Sequence, residues 1–205
     1  TKWYDDASPG TTEYTITTAE QLAGLAFITN NNTGTYKDEQ FAGKTIKLGA
    51  DIALQDSGVT ILNDDYSVNE NLATLKAWTP IGTSSNEFQG TFDGNNHTIS
   101  GLYISSSSNG YYGLFGYTEG ATIQSITLTD SYIKCSASGT SPSIYVGGIL
   151  GHGESATISS CAVTARVILS VGNNTTNQNH AIGGVAGRVS ASGTDDTTVS
   201  NCTFS

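Results

Sequence analysis

Apolar positions along this chain recur in short, unequal steps rather than at a helical period. Ile99, Leu102 and Ile104 follow one pattern: an apolar residue, two small or polar ones, an apolar one, a spacer and a third apolar one. Ile123, Ile126 and Leu128 repeat it, as do Ile158, Cys161 and Val163, and Val199, Cys202 and Phe204. A gap of three followed by a gap of two departs from strict strand alternation, and it predicts a bulge inside each strand region. A second unit lies between these segments: Gly113-Leu-Phe-Gly116, Gly148-Ile-Leu-Gly151 and Gly184-Val-Ala-Gly187. Gly113, Gly148 and Gly184 are 35 and 36 residues apart, and Ile123, Ile158 and Val199 are 35 and 41 apart. Two independent markers with near-equal periods predict a repeat architecture.

A third strand is expected around Tyr132 to Cys135 and Arg166 to Leu169, giving three short strands per period. One such unit cannot bury its apolar face alone, so successive units must stack. The fold class that follows is all-β, a parallel β-solenoid. Equivalent residues are expected to form ladders: Ile99, Ile123, Ile158 and Val199, and beside them Leu102, Ile126, Cys161 and Cys202. The glycines are assigned to tight corners and close backbone approaches. Cys161 and Cys202 read as small core residues that a disulfide could also join, and Cys135 falls outside their ladder.

Before residue 99 the pattern is less regular. Thr17 or Thr18 with Glu20 or Gln21 forms a capping-box signature, and Leu22, Leu25, Ala26 and Ile28 follow at helical spacing. One amphipathic helix over about 18–29 is predicted, ended by Asn30, Asn31, Asn32 and Gly34, and placed to cap the first end of the solenoid. Phe41, Ile46, Leu48, Ile52 and Leu54 mark the first strands. Residues 14–54 thus hold the capping helix and first coil, 55–76 a polar loop insertion, and 77–205 the repeated coils, all in one domain. Val199 to Phe204 reads as the first strand of a further coil, so the C-terminal end is expected to be covered by more chain or by another subunit.

Composition narrows the function classes. Charged residues make up 13% of the 205, and the formal net charge is −10 with only 8 Lys plus Arg. Nucleic-acid binding requires cationic groups that displace phosphate counterions, and no basic cluster exists, so that class is excluded. Nothing approaches the roughly 20 apolar residues of a membrane-spanning helix. Three cysteines without paired-Cys or Cys/His spacing give no zinc pattern. No cofactor and no metal site is expected. Calcium was weighed for the acidic loops, which carry neither an EF-hand nor a Gly-Asp array.

The residues also carry a resemblance. Trp78, Pro80, Ile81 and Gly82 lead into Phe88, Gly90, Phe92, Asp93, Gly94, His97 and Ile99, and then into Gly113-Leu-Phe-Gly116. With Ile16 to Leu22 and the Gly43 to Leu54 run, this string resembles the GLUG-repeat family of bacterial secreted and cell-surface proteins, over about residues 14–204. The resemblance implies a right-handed parallel β-helix, an extracellular or cell-surface location, and a non-enzymatic, adhesin-like or scaffold role. It supplies no catalytic residue. The Gly-Ile-Leu-Gly and Gly-Val-Ala-Gly units depart from Gly-Leu-Phe-Gly.

Parallel β-helices also host polysaccharide hydrolases and lyases, so an alternative reading is a carbohydrate-binding or carbohydrate-active module. Hydrolysis would need paired carboxylates, for which Asp64–Asp65 and Asp195–Asp196 are the candidates. Gly151-His152-Gly153 resembles a tripeptide of pectin-degrading hydrolases. The order of aspartates and histidine is reversed here and the basic pair is missing, so His152 reads as a turn residue between corner glycines. His97 and His180 read as structural. The remaining candidates are binding residues: Asp64, Asp65 and Tyr66 in the insertion, and Tyr111, Tyr112, Tyr132 and Tyr145 near the strand corners, with Tyr117 beside them. Aromatic faces of this kind stack on sugars or anchor protein partners, so a glycan or a host or matrix protein is the expected partner.

Overall fold

The computed structural model describes residues 3–4, 10–31, 39–69, 74–137, 143–172, 179–191 and 196–205. Its elements are strands β1 (Glu13–Ile16), β2 (Thr45–Leu48), β3 (Ile52–Ala53), β4 (Thr91–Asp93), β5 (Thr98–Ser100) and β6 (Tyr103–Ser106), with helix α1 (Ala19–Asn30) after β1. Next come β7 (Tyr111–Tyr112), β8 (Phe115–Glu119), β9 (Thr122–Gln124), β10 (Thr127–Ala137), β11 (Ile144–Val146) and β12 (Leu150–Glu154). The last are β13 (Thr157–Ser159), β14 (Ala162–Val171), β15 (His180–Ile182), β16 (Ala186–Ser190), β17 (Thr198–Ser200) and β18 (Thr203–Phe204).

Every pairing between these strands is parallel, and every neighbour comes from the previous or next turn of the chain. Sheet one runs β1-β2-β4-β9-β13-β17. Sheet two runs β3-β5-β10-β14-β18, with β6 also on β10. Sheet three is β7-β11-β15, and sheet four is β8-β12-β16. The chain is thus an all-β parallel solenoid in which three turns visit all four sheets. Three strands per turn were expected, and two local features account for the difference. Tyr132 to Cys135 is the second half of the long β10, set off by a register shift between Leu128 and Ser131. The Gly147-Gly148 corner then separates two further strands, β11 and β12.

The step of three residues between apolar positions is a corner and not a strand bulge. Ser125, Ser160 and Asn201 occupy it in successive turns, all in the left-handed region at φ 56, 54 and 52°. Short polar side chains tolerate that region better than branched ones, which explains their choice there. The two ladders accordingly differ from expectation at one member each, Ile99 and Leu102. Ile46, Phe92, Ile123, Ile158 and Val199 form the sheet-one ladder, whereas Ile99 belongs to sheet two with Ile52, Leu128, Val163 and Phe204. Ile126, Cys161 and Cys202 do occupy matching corners, without Leu102, which lies beside Ser131 instead. Five residues separate Phe92 from Thr98, against three from Ile123 to Thr127, and this longer corner misaligned the pattern. Each fully buried ladder side chain contributes about 1.5–3 kcal/mol.

All three cysteines are free. Burial pushes the Cys161 thiol up to about 11, with Cys202 beside it. Gly148 shows why the corners need glycine: a Cβ there would sit 2.5 Å from the carbonyl oxygen of Gly184 in the next turn.

Helix α1 begins as predicted. Thr18 is its N-cap and closes a capping box with Gln21, and Asn31 ends it; Asn32 and Gly34 lie outside the described residues. Leu22, Leu25, Ala26 and Ile28 enter the main core. Asn30 donates to Pro80 O (2.9 Å) and accepts from Gly82 N–H (2.7 Å), so the helix end satisfies backbone on the 80–82 segment below it. The helix shares the first end of the core with an aromatic group: Trp3 stacks on Phe41 at 6.4 Å, and Tyr4 packs against Phe41 and Tyr14. The opposite end is open. Val199 and Phe204 are 45% and 50% exposed, whereas Ile158 and Val163, one turn earlier in the same ladders, are 0% and 2% exposed.

The 55–76 insertion is less polar in its role than in its composition. Ile61 and Leu62 are buried with Tyr132 in a satellite cluster on sheet two. The Asp130 carboxylate accepts the backbone N–H of both Ile61 (3.0 Å) and Leu62 (2.7 Å). Gln55 closes the base of the insertion through Lys76 and Gly101.

Candidate binding site at the outer corner of sheets three and four

Three glycines shape this site, one per turn. A Cβ on Gly151 would lie 2.6 Å from Tyr112 N and 2.8 Å from Gly116 O, and one on Gly187 would lie 2.6 Å from Val146 N. Only glycine lets sheet four approach sheet three this closely. The side chains that flank the approach are therefore forced together on the outside of the coil.

Strand alternation decides which side chains these are. Ile144 and Val146 enter the main core, and Tyr145 between them does not. Tyr145 pairs with Tyr111 one turn earlier and with Ala181 one turn later. In sheet four, Thr118 and Gly153 point inward, Gly153 facing Leu150 and Ala156. Their neighbours point the other way: Tyr117 pairs with His152 and His152 with Arg188, and Glu119 pairs with Glu154 and Glu154 with Ser190.

The result is one packed polar-aromatic cluster. Tyr111 and Tyr145 stack, with ring centroids 5.6 Å apart at 20°. Tyr117 meets Tyr111 edge-on at 5.2 Å. The His152 ring sits among all three tyrosines, at 4.8 Å from Tyr117, 5.0 Å from Tyr145 and 5.6 Å from Tyr111. The Arg188 guanidinium lies 5.2 Å from the centre of the Tyr145 ring and donates to its hydroxyl at 2.5 Å. Tyr117 donates to Glu154 at 2.6 Å.

His152 is only 5% exposed. Its Nε2 lies 3.2 Å from Ser190 Oγ, and its Nδ1 has no hydrogen-bond partner among the described residues. Burial, and then the Arg188 charge, hold its pKa below the ordinary histidine value, so the ring is neutral near pH 7. Burial pushes the Tyr111 and Tyr117 hydroxyls up, and the Glu154 carboxylate adds to the rise at Tyr117. Both tyrosines therefore remain protonated and can donate. The cluster offers aromatic faces, hydroxyl donors, a carboxylate acceptor and guanidinium donors. Among the described residues, no hydroxyl or thiol nucleophile is hydrogen-bonded to His152 other than Ser190, which lies on the surface strand β16.

Tyr111, Tyr145 and Tyr117 are the tyrosines singled out in the sequence that the fold brings together in this cluster. Tyr112 faces away from them, and its hydroxyl is engaged by Ser106 (2.8 Å) and Ser108 O (2.8 Å). Tyr132 is buried, stacks on Tyr103 at 5.9 Å and is covered by Ile61 and Leu62. Asp64, Asp65 and Tyr66 form the tip of the insertion. Ser67 donates to Asp65 through its hydroxyl and its N–H, which holds the Asp65 carboxyl below its usual range, and Tyr66 adopts a left-handed turn at φ 61°. Asp195 lies outside the described residues. His97 is bound to Asp51 at 3.0 Å, and His180 Nδ1 accepts from Ile144 N–H at 3.2 Å.

Sequence reasoning took His152 for a turn residue and passed over Arg188 and Glu154. One signal could have found the set: Tyr117, His152 and Arg188 each stand four residues after the leading glycine of their repeat. A concavity about 400 Å³ in volume, away from this corner, runs along α1 between Phe27 and Trp78. Trp78 is anchored there by its indole N–H to Leu114 O at 3.1 Å. Among the described residues, no three His, Cys, Asp or Glu side chains converge to hold a metal ion, and no helix is long and apolar enough to cross a membrane.

Comparison with known proteins adds one partial likeness. No family model and no solved structure matches the chain. A stretch of 57 residues is 39% identical to a protein of Evansella cellulosilytica named as a Gly-rich membrane protein; it covers 27% of this chain and 7% of that protein. The chain thus spans a small fraction of the length of this relative.

Proposed function

We propose that this chain is a non-enzymatic, adhesin-like scaffold module of a bacterial extracellular or cell-surface protein of the GLUG-repeat type, with its coils wound right-handed. The turns hold a rigid axis, and the outer corner of sheets three and four presents the binding face. One observation carries this reading: Tyr111, Tyr117 and Arg188 remain accessible on the outside of the stack, over the buried Tyr145 and His152, while the inside is filled with apolar ladders. A polar-aromatic patch mixing ring faces with charged donors has the composition of a recognition surface. The partner is a glycan or a host or matrix protein.

Display of the chain on an otherwise non-adherent bacterium tests the role. Adhesion to host-cell or matrix-coated surfaces is expected, with Tyr117→Ala reducing it and Tyr66→Ala leaving it unchanged. Release of reducing ends or unsaturated products from a polysaccharide by the purified chain would overturn the non-enzymatic reading and favour the carbohydrate-active alternative.

A further inference from the structure

Resting on the corner as the binding face, we infer that its ligand is an extended, neutral oligosaccharide lying along the solenoid axis across successive turns.

Four features of the corner support this class. The first is its mixed chemistry. A pyranose presents apolar C–H faces and a rim of hydroxyls that both donate and accept. The corner presents Tyr111 and Tyr117 rings, which are half-buried, beside an exposed Arg188 and a half-buried Glu154. Arg188 spends one N–H on Tyr145, and a guanidinium carries five, so donors remain. Glu154 accepts from Tyr117 through Oε1, which leaves Oε2 for a ligand hydroxyl.

The second feature is charge. A formal net charge of −10 repels polyanions. Within the corner, Glu119 stands directly beside Glu154 in the next turn, so the local field is no more welcoming to an acidic sugar than the global one. Arg188 is the one cation of the cluster, and its charge is directed at the Tyr145 ring and hydroxyl.

The third feature is spacing. Successive turns are separated by the ordinary strand distance of about 4.8 Å. That is close to the length of one sugar unit in an extended chain. Tyr111 and Tyr145, and then Tyr117, His152 and Arg188, repeat at this interval, one turn apart. A linear glycan running along the axis meets the half-buried Tyr117 ring, then the Glu154 carboxylate and then the exposed Arg188, one per turn, while Tyr145 and His152 are buried beneath them.

The fourth is His152 itself. An unpaired imidazole nitrogen buried among rings carries a desolvation penalty that an aliphatic residue would avoid. With Nε2–H directed to Ser190, Nδ1 is a bare acceptor beneath Tyr117 and Tyr145. A sugar hydroxyl that displaces the edge of either ring finds an acceptor there. His152 thus acts both as the post that orients three tyrosines and as a latent partner for the ligand.

Calorimetric titration of the purified chain with cellohexaose and mannohexaose tests the inference, with polygalacturonate as the acidic comparator. Saturable binding of at least one neutral hexamer is expected, and binding of polygalacturonate should be weaker. Tyr117→Ala and Arg188→Gln should each weaken it by roughly tenfold, equivalent to about 1.4 kcal/mol, while Tyr66→Ala should not. Should Tyr117→Ala fail to fold, Tyr117→Phe keeps the ring, removes the bond to Glu154 and should still weaken binding. No saturable binding to either neutral hexamer, tighter binding of the polyanion, or binding indifferent to the corner variants would each overturn the inference. Adhesion that persists in the display assay while both hexamers fail would leave the scaffold reading standing and point to a protein partner.

Discussion

His152 lies edge-on to Tyr117, with ring centroids 4.8 Å apart at 77°, although the two residues are 35 positions apart in sequence. They are partners in adjacent turns of sheet four, so the contact exists only because one coil is stacked on the next. The candidate site is in this sense a product of the repeat. Gly116, Gly151 and Gly187 bring the sheets together, and outward-facing side chains from three turns fill the corner they create.

The buried imidazole makes the corner sensitive to acid. The folded pKa of His152 is lowered below the unfolded value of about 6.5 by burial and by Arg188, so the unfolded chain takes up the proton first. Stability is therefore full above the unfolded pKa and is lost as pH falls toward the depressed folded one. Glu154 opposes this shift, while Tyr111 and Tyr117, whose hydroxyls are pushed up by burial, stay neutral across the range. Urea unfolding at pH 7.5 and 5.5 should show a larger loss for the wild type than for His152→Gln, each unit of pKa displacement being worth about 1.4 kcal/mol. Equal losses in the two proteins would remove His152 as the cause.

Gly148→Ala should destabilise the chain by about 1–3 kcal/mol, because its Cβ would meet the Gly184 carbonyl oxygen at 2.5 Å and the Val163 side chain at 2.6 Å. Gly120→Ala offers a contrast. Nothing lies within 4 Å of a Cβ there, but φ is +61°, so the cost is backbone strain of about 1 kcal/mol. Thermal unfolding of the two variants should rank Gly148→Ala as the more damaging. The reverse order would show that the corners tolerate separation of the turns.

The insertion should loosen without unfolding the coils when Asp130 is replaced. Its carboxylate accepts from the backbone of Ile61 and Leu62, and Asp130→Ala leaves those two N–H groups without their partner at about 1–3 kcal/mol each. Hydrogen exchange should rise at residues 61–62 and stay slow in β9 and β13. Fast exchange throughout the core would mean that the insertion is a structural part of the solenoid.

The exposed end of the ladders predicts self-association. Val199 and Phe204 present apolar surface and unpaired strand edges where Ile158 and Val163 are covered. Sedimentation should show concentration-dependent oligomers of the chain, reduced by Val199→Lys together with Phe204→Ser. A monomer at every concentration, with these residues unchanged, would show that the open edge is not adhesive.

The legible parts of this fold were those written in local chemistry. Thr18 and Gln21 announce the start of α1, and the glycine pairs announce the repeat, because a cap or a close approach demands particular residue types wherever it occurs. The strand count and the Ile99 ladder were misread because strands of three residues are too short for periodicity to separate a corner from a bulge. Ser125 and Asn201 hold their corners through a backbone angle that no apolar pattern records. The site was half legible for a related reason. Tyr111, Tyr117 and Tyr145 stand out in the sequence as aromatics, but Tyr117, His152 and Arg188 share a position in the repeat and no chemical type, so His152 and Arg188 escape notice. Only stacking brings these three unlike side chains to one corner.

The NMR signals of the His152 imidazole nitrogens during titration with a neutral hexasaccharide test the central claim most directly. The account predicts a saturable shift at His152 Nδ1, with the His97 and His180 signals unmoved. Saturable binding that leaves His152 unchanged, or no binding at all, would contradict it.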